Sequence, residues 1–254
     1  MLVKTIKKLI SRLTGSKKVS VIIPSFNRHK FLLNAIRSVE NQTYKNTEII
    51  VINDGSTERE YYEEPFKNIR MIHCKVNSKS IFGFANLNHV RNIGIKHATG
   101  DYIAFLDDDD IWLPDKLQMQ LDKMKEFNCP MACSDGYLGK GEYDSQEDYK
   151  LYNAEHYYKT ILDIYRLRGV EHYFENGDYP DIWTRDFIKI HNCITTCSVI
   201  LDKTIVDKAG EMPESTPPGE DYDYWLRLLE IDDFVYVKEP CFYCDKGHGH
   251  GRNY

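Results

Sequence analysis

The 254-residue chain lacks any apolar run approaching the ~20 residues that cross a bilayer, so no membrane-spanning helix is expected from it. Its apolar positions near the start, Leu2, Ile6, Leu9, Ile10 and Leu13, are too interrupted for the core of a secretion signal. Acidic residues are missing before Glu40, whereas Lys4, Lys7, Lys8, Arg12, Lys17 and Lys18 crowd the first eighteen positions. The apolar spacing there lines one face of a helix with cations on the other. Residues 1–18 are therefore read as a basic amphipathic helix, docked on the protein body or lying on an anionic membrane surface.

Elsewhere acidic residues outnumber basic ones. The formal net charge is −6, which leaves no electrostatic footprint for the phosphate backbone and excludes nucleic acid as the expected partner. Internal repeats and low-complexity tracts are absent as well. The seven cysteines are odd in number and cannot all pair within one chain, so reduced thiols in a cytoplasmic setting are expected. Cys241 and Cys244, with His248 and His250 after them, have zinc-like spacing, but their stretch reads as a strand, on which positions i and i+3 point to opposite faces.

At 42% hydrophobic residues the chain can bury a large core. Short β-branched and aromatic runs at 19–24, 48–52, 69–73 and 102–106 read as buried strands. Between them, Phe31, Leu32, Ala35, Ile36 and Val39 recur at helical spacing, as do Leu87, Val90 and residues 95–98. This alternation predicts an α/β fold with a mostly parallel central sheet covered by helices on both faces. Pro114 and Asp115 mark a further helix start, continued by Leu117, Leu121 and Met124. Residues 136–186 lose the pattern and read as helix and loop insertions. A strand is then expected at 194–201, a helix at 220–230 and a last strand at 234–237.

In an open parallel sheet, ligands gather beyond the carboxyl ends of the strands. The residues after the first, second and fourth strands are Pro24-Ser25-Phe26-Asn27-Arg28, Asn53-Asp54-Gly55-Ser56 and Asp107-Asp108-Asp109-Asp110. Four adjacent aspartates repel one another, and on an extended chain Asp107 and Asp109 would share one side. A hard divalent cation such as Mn²⁺ or Mg²⁺ would relieve that repulsion, as it takes one or two protein carboxylates and fills its other positions with water and substrate phosphate. A solvated acidic helix start is the other reading of the same run.

Five ordered segments decide how the run is read: Val-Ser-Val-Ile-Ile-Pro-Ser-Phe-Asn-Arg (19–28), Val-Ile-Asn-Asp-Gly-Ser-Thr (51–57), Arg91-Asn92-Ile93-Gly94, residues 100–110, and Gly219-Glu220-Asp221-Tyr222-Asp223-Tyr224-Trp225. In these the chain resembles the inverting glycosyltransferases of family 2, which have the Rossmann-like GT-A fold. The resemblance implies a nucleotide-sugar-binding half at 19–135 and an elaborated acceptor-binding, catalytic-base half at 136–254 of one domain. It also implies transfer of a sugar from a nucleotide-diphosphate sugar, commonly a UDP-sugar, to a hydroxyl of a carbohydrate, glycolipid or glycoprotein; no Gln-x-x-Arg-Trp segment follows residues 219–225, which argues for non-processive transfer of a single sugar.

By position, the resemblance assigns Pro24, Ser25, Phe26, Asn27 and Arg28 to the nucleoside pocket, and Asp54 to the donor base. Arg91, Asn92 and Asp108 join the donor site, Asp107 approaches ribose or metal, and Asp109 is the principal metal ligand. Asp221, beside Glu220 at a helix start, corresponds to the general base, an anion that a helix N-terminus stabilises. His248 or His250 either completes the metal shell or belongs to a Gly-His-Gly-His-Gly tail. Tyr137, Tyr143, Tyr173, Tyr179, Trp183 and His191 either stack on an acceptor sugar or fill the core. A sugar nucleotidyltransferase would need an early glycine-rich phosphate loop, which 24–28 lacks, and an inactive cation-binding module would not need Asp54, Asp109 and Asp221 together.

Overall fold

In a computed structural model the described residues are 16–63, 66, 68–174, 177–214 and 220–248; nearly all of the basic segment 1–18 lies outside them. β1 (Val19–Ser25) is buried along its whole length. Its alternating side chains serve two cores. Val21 and Ile23 pack with Leu32, Ala35, Ile36 and Val39 of α1 (His29–Glu40), while Ile22 packs with Val90 of α2 (Leu87–His97) on the other face. A continuous apolar run buried on both sides is what helices on both faces of a sheet require.

β2 (Thr47–Asn53), β3 (Ile69–His73) and β4 (Tyr102–Phe105) complete a parallel set in the order β3-β2-β1-β4. Beyond β4 the sheet is mixed. β9 (Ile200–Asp202) runs antiparallel between β4 and β6 (Met131–Gly139), and β6 pairs in parallel with the twelve-residue β10 (Phe234–Asp245). Three two-residue strands, β5 (Ile111–Trp112), β7 (Lys150–Leu151) and β8 (Ile182–Trp183), pair antiparallel at its margins. The expected mostly parallel sheet therefore holds among the first four strands and again for the β6–β10 pair, with antiparallel strands between and around them. Because β9 reverses direction twice over, β6 and β10 still run with β1, and all their carboxyl ends share one edge.

Several elements depart from the sequence pattern. The run 194–201 is a 3-10 turn (Thr196–Ser198) followed by a three-residue strand, since Trp112 and Gln120 take the carbonyls of Cys197 and Ser198 that a longer strand would use. β6 crosses residues 135 and 136, and β10 continues eight residues past Val237 with register shifts around Pro240. The helix after Pro114 is α3 (Lys116–Glu126), with Asp115 as its N-cap. α4 (Tyr158–Leu167), α5 (Lys203–Ala209) and α6 (Glu220–Leu228) complete the longer helices among the described residues. Tyr179 and Trp183 fill the core rather than a sugar site, with Trp183 stacked on Tyr236 at 4.2 Å; Tyr173 is half-buried against Phe187.

Cys241 and Cys244 are both buried free thiols on β10, and no group of three or more metal-binding side chains is found among the described residues. No helix among them is long and apolar enough to cross a membrane.

Candidate active site

A cleft of about 850 Å³ opens at the shared carboxyl edge, walled by Pro24 near the end of β1 and Arg28 after it, Arg91 of α2, Asp107 to Asp110 after β4, Thr196, Asp221 and Asp245. The aspartates form a turn rather than an extended run, closed by the Asp110 amide donating to the Asp107 carbonyl at 3.2 Å. Asp107 and Asp109 are the partly exposed pair. Asp108 and Asp110 are 2% and 5% exposed.

Two arginines reach three of the four carboxylates. Arg28 donates to Asp109 Oδ2 at 2.7 Å and to Asp108 Oδ1 at 3.4 Å, and Arg91 donates to Asp107 Oδ1 at 2.7 Å. Ser25 Oγ adds a bond to Asp108 Oδ2 at 2.7 Å and lies 2.5 Å from the Tyr61 hydroxyl. Burial, reinforced by Asp109, still pushes the Asp108 carboxyl up to about 7 against Ser25 and Arg28. Burial and Asp107 raise Asp109, with Arg28 opposing, and burial with Asp109 and Asp107 raises Asp110 well above the usual range. The turn thus sets four carboxyl groups against two arginines. Asp107 and Asp109 each engage an arginine through one carboxylate oxygen, so a cation that needs one or two carboxylates fits this donor set.

Asp54 ends up behind the wall. It is 1% exposed, and its carboxylate accepts from Ser78 N at 2.8 Å, Ser78 Oγ at 2.6 Å and Asn77 Nδ2 at 3.1 Å. A carboxylate offers about four lone-pair sites, of which these three donors take three. Burial raises its pKa, and the Ser78 bonds oppose that rise. Gly55 makes this turn possible: its φ is +73° and a Cβ there would stand 2.9 Å from the Asn77 nitrogen.

Asn27, at φ +50°, likewise ties the turn after β1 to the one after β2, accepting from Thr57 N at 2.7 Å and donating its amide to Ser56 Oγ at 2.9 Å. Phe26 lies in the same turn. Asn92 is 1% exposed and bonds the 212–214 segment.

Asp221, in the first turn of α6, accepts from Thr196 Oγ at 2.9 Å. Glu220 begins the same helix with its side chain outside the described residues, as are the His248 side chain and all of His250. Motif reading passed over Thr196 and Asp245. Asp245 was findable: it ends β10 on the ligand edge, accepts from Gly141 N and Gly247 N at 2.8 and 2.6 Å, and donates its own amide to Asp110. Thr196 stands in no motif; only the fold brings it beneath Asp221.

Residues 20–206 match the protein family described as glycosyl transferase family 2. The chain belongs to this family. It is 36% identical over 231 residues to the UDP-Glc:alpha-D-GlcNAc-diphosphoundecaprenol beta-1,3-glucosyltransferase WfgD of Escherichia coli, covering 90% of this chain and 76% of that protein. An uncharacterized glycosyltransferase of Rickettsia bellii is 48% identical over 215 residues, which are 83% of this chain and 26% of the relative. Across five rickettsial relatives the chain spans 19% to 63% of their length. The structure of S. aureus TarS in complex with UDP-GlcNAc superimposes with a TM-score of 0.65 at 17% identity, covering 92% of this chain and 60% of that one. At that identity the likeness is one of fold: a broadly GT-A-like α/β domain with a mixed sheet and flanking helices.

Proposed function

We propose that the chain is a non-processive inverting glycosyltransferase that moves one sugar from a UDP-sugar to an acceptor hydroxyl with the help of Mn²⁺ or Mg²⁺. The observation that carries this reading is that Asp221, anchored by Thr196, faces the same cleft as the arginine-braced aspartate turn. A base on one wall and an arginine-braced carboxylate site for the cation and diphosphate on the other are the two parts that the reaction needs.

In this reading residues 19–135 bind the donor and 136–254 supply the acceptor site and base. Pro24 and Arg28 face the nucleotide; Ser25, Phe26, Asn27 and Asp54 shape its pocket, with Asp54 offering its remaining acceptor to the base. Asp109 and Asp107 hold the cation, with His248 or His250 as a further ligand. When bound, the ion offsets the charge of the departing diphosphate. Asp221 accepts the acceptor hydroxyl's proton as that oxygen bonds the anomeric carbon from the face opposite the leaving group; the sugar–diphosphate bond breaks and configuration inverts. A lipid-diphosphate-linked sugar, the acceptor class in the WfgD name, joins free carbohydrate and glycoprotein among the proposed acceptors. The seven free thiols support placement in the cytoplasm, with residues 1–18 as a peripheral membrane contact.

The test is incubation with a panel of nucleotide sugars, scoring nucleotide diphosphate release with Mn²⁺ and with chelator. Release of UDP that requires the metal and is lost in Asp109→Ala is expected. Pyrophosphate as the product, or UDP binding equally well with chelator, would overturn the reading.

A further inference from the structure

The motif Arg91-Asn92-Ile93-Gly94 points in three directions from one helix. Arg91 braces Asp107 of the cleft. Gly94 sits against β1 so closely that a Cβ would lie 2.4 Å from Ile22 Cγ2. Asn92, about 200° around the helix from Gly94, faces away from the sheet and holds the backbone of Met212 from both sides, donating to its carbonyl at 2.9 Å and accepting from its amide at 2.8 Å.

The same stripe of α2 grips the following residues. Asn88 donates to the Pro213 carbonyl at 2.9 Å, and Asn86 to the Glu214 carbonyl at 2.7 Å. The Glu214 carboxylate is shared by Asn92 Nδ2 at 2.8 Å and His89 Nδ1 at 3.1 Å. From the other side, Arg227 of α6 donates to the carbonyls of Ala209 and Glu211 at 3.2 and 2.8 Å. The helix that carries Asp221 is therefore tied to the 209–214 segment, and that segment to the helix that braces Asp107.

Asn86, Asn88 and Asn92 are 0–2% exposed. An apolar face would bury the segment at lower desolvation cost, but apolar contacts are non-directional and leave it free to slide. Hydrogen bonds to successive backbone groups fix register as well as distance.

We propose that Asn92, His89 and Glu214 form a positioning assembly that sets Asp221 at its working distance from the Asp107–Asp109 turn. The proposal rests on the reading of Asp221 as the base. Misplacement of a reacting group by about 1 Å costs up to about 100-fold in rate, so loosening the assembly should reduce turnover without touching donor contacts.

The experiment measures UDP release from UDP-glucose and UDP-N-acetylglucosamine with Mn²⁺, UDP affinity by calorimetry, and thermal midpoint for wild type, Glu214→Ala, Glu214→Gln, Asp221→Asn and the Glu214→Ala/Asp221→Asn pair. Glu214→Ala should lower kcat about 10- to 100-fold at unchanged UDP affinity, and Glu214→Gln, which keeps the acceptor for Asn92, should restore it to within a few-fold. In the Asp221→Asn background Glu214→Ala should cost little more, because the group it positions is already disabled. Wild-type kcat in Glu214→Ala, a full additional loss in the pair, or a parallel fall in UDP affinity and thermal midpoint would each overturn the proposal. Wild-type turnover by Asp221→Asn alone would remove the base reading itself, and the positioning role with it.

Discussion

Asp221 and Asp223 are two positions apart on α6, yet Asp221 is half-buried in the cleft wall and bonded by Thr196 while Asp223 is exposed. Two residues are about 200° of helix, so the two carboxylates cannot share a direction. Asp221→Asn preserves shape and the bond from Thr196 but cannot take a proton; kcat is expected to fall about 10²–10⁴-fold while UDP affinity in Mn²⁺ moves little. Asp223→Asn should stay within a few-fold of wild type. Steady-state kinetics alongside calorimetry reads both, and the reverse pattern would reassign the base. At this scale Arg28, Arg91, Asp107 to Asp110 and Asp221, which the motifs singled out, line the cleft. The motifs did not separate residues that face the cleft from those that hold its wall, such as Asn27, Asp54 and Asn92, because a hydrogen-bonding side chain reads the same in a sequence whether its partner is a ligand or the backbone.

Among elements, α2 shows how one helix can be constrained on several faces at once. Gly94→Ala would ordinarily gain up to about 1 kcal/mol of helix propensity. Here the added methyl meets Ile22, a β-branched side chain buried in the central strand, and cannot be accommodated by a simple swing. Overpacking of this kind costs about 1–3 kcal/mol, so the urea midpoint should fall; a rise would mean that α2 stands farther from β1. α1, α2 and the first four strands were legible because their apolar periods are regular. β6 was not, since Met131, Ala132, Cys133 and Ser134 carry no β-branched side chains, whereas the stretch through Cys241 and Cys244 that reads as a strand is one, despite Pro240 inside it.

For the whole molecule, the edge opposite the cleft is tied by Glu48, whose carboxylate pairs with Lys18 Nζ at 2.7 Å and accepts from Ser20 Oγ at 2.5 Å and Thr99 N at 2.7 Å. Burial alone would push this carboxyl up. The bonds from Lys18, Ser20 and Thr99 outweigh it and hold the group at about 2, against 4.5 for an ordinary glutamate. A carboxyl depressed in the folded state adds stability that is fully present above the unfolded value and is lost as pH falls through the folded one. The wild type should therefore lose an increment on the order of 1–2 kcal/mol between about pH 5 and pH 2, beyond any loss shared with Glu48→Gln, in which this part of the pH dependence should flatten. Denaturant titrations at pH 7, 5, 4 and 3 compare the slopes, and equal slopes would show that the network contributes nothing at neutral pH.

The sequence by itself determined the parallel first half, the residues at its carboxyl edge and the family, because local periodicity and short contiguous motifs carry those properties. Only the tertiary structure decided that β9 enters antiparallel between β4 and β6, that Asp54 turns inward to Ser78, and that Thr196 and Asp245 join the cleft. Each of these depends on partners far apart along the chain, such as Thr196 and Asp221 or Asp110 and Asp245, and no local pattern records a contact whose two halves are separated by 25 or 135 residues.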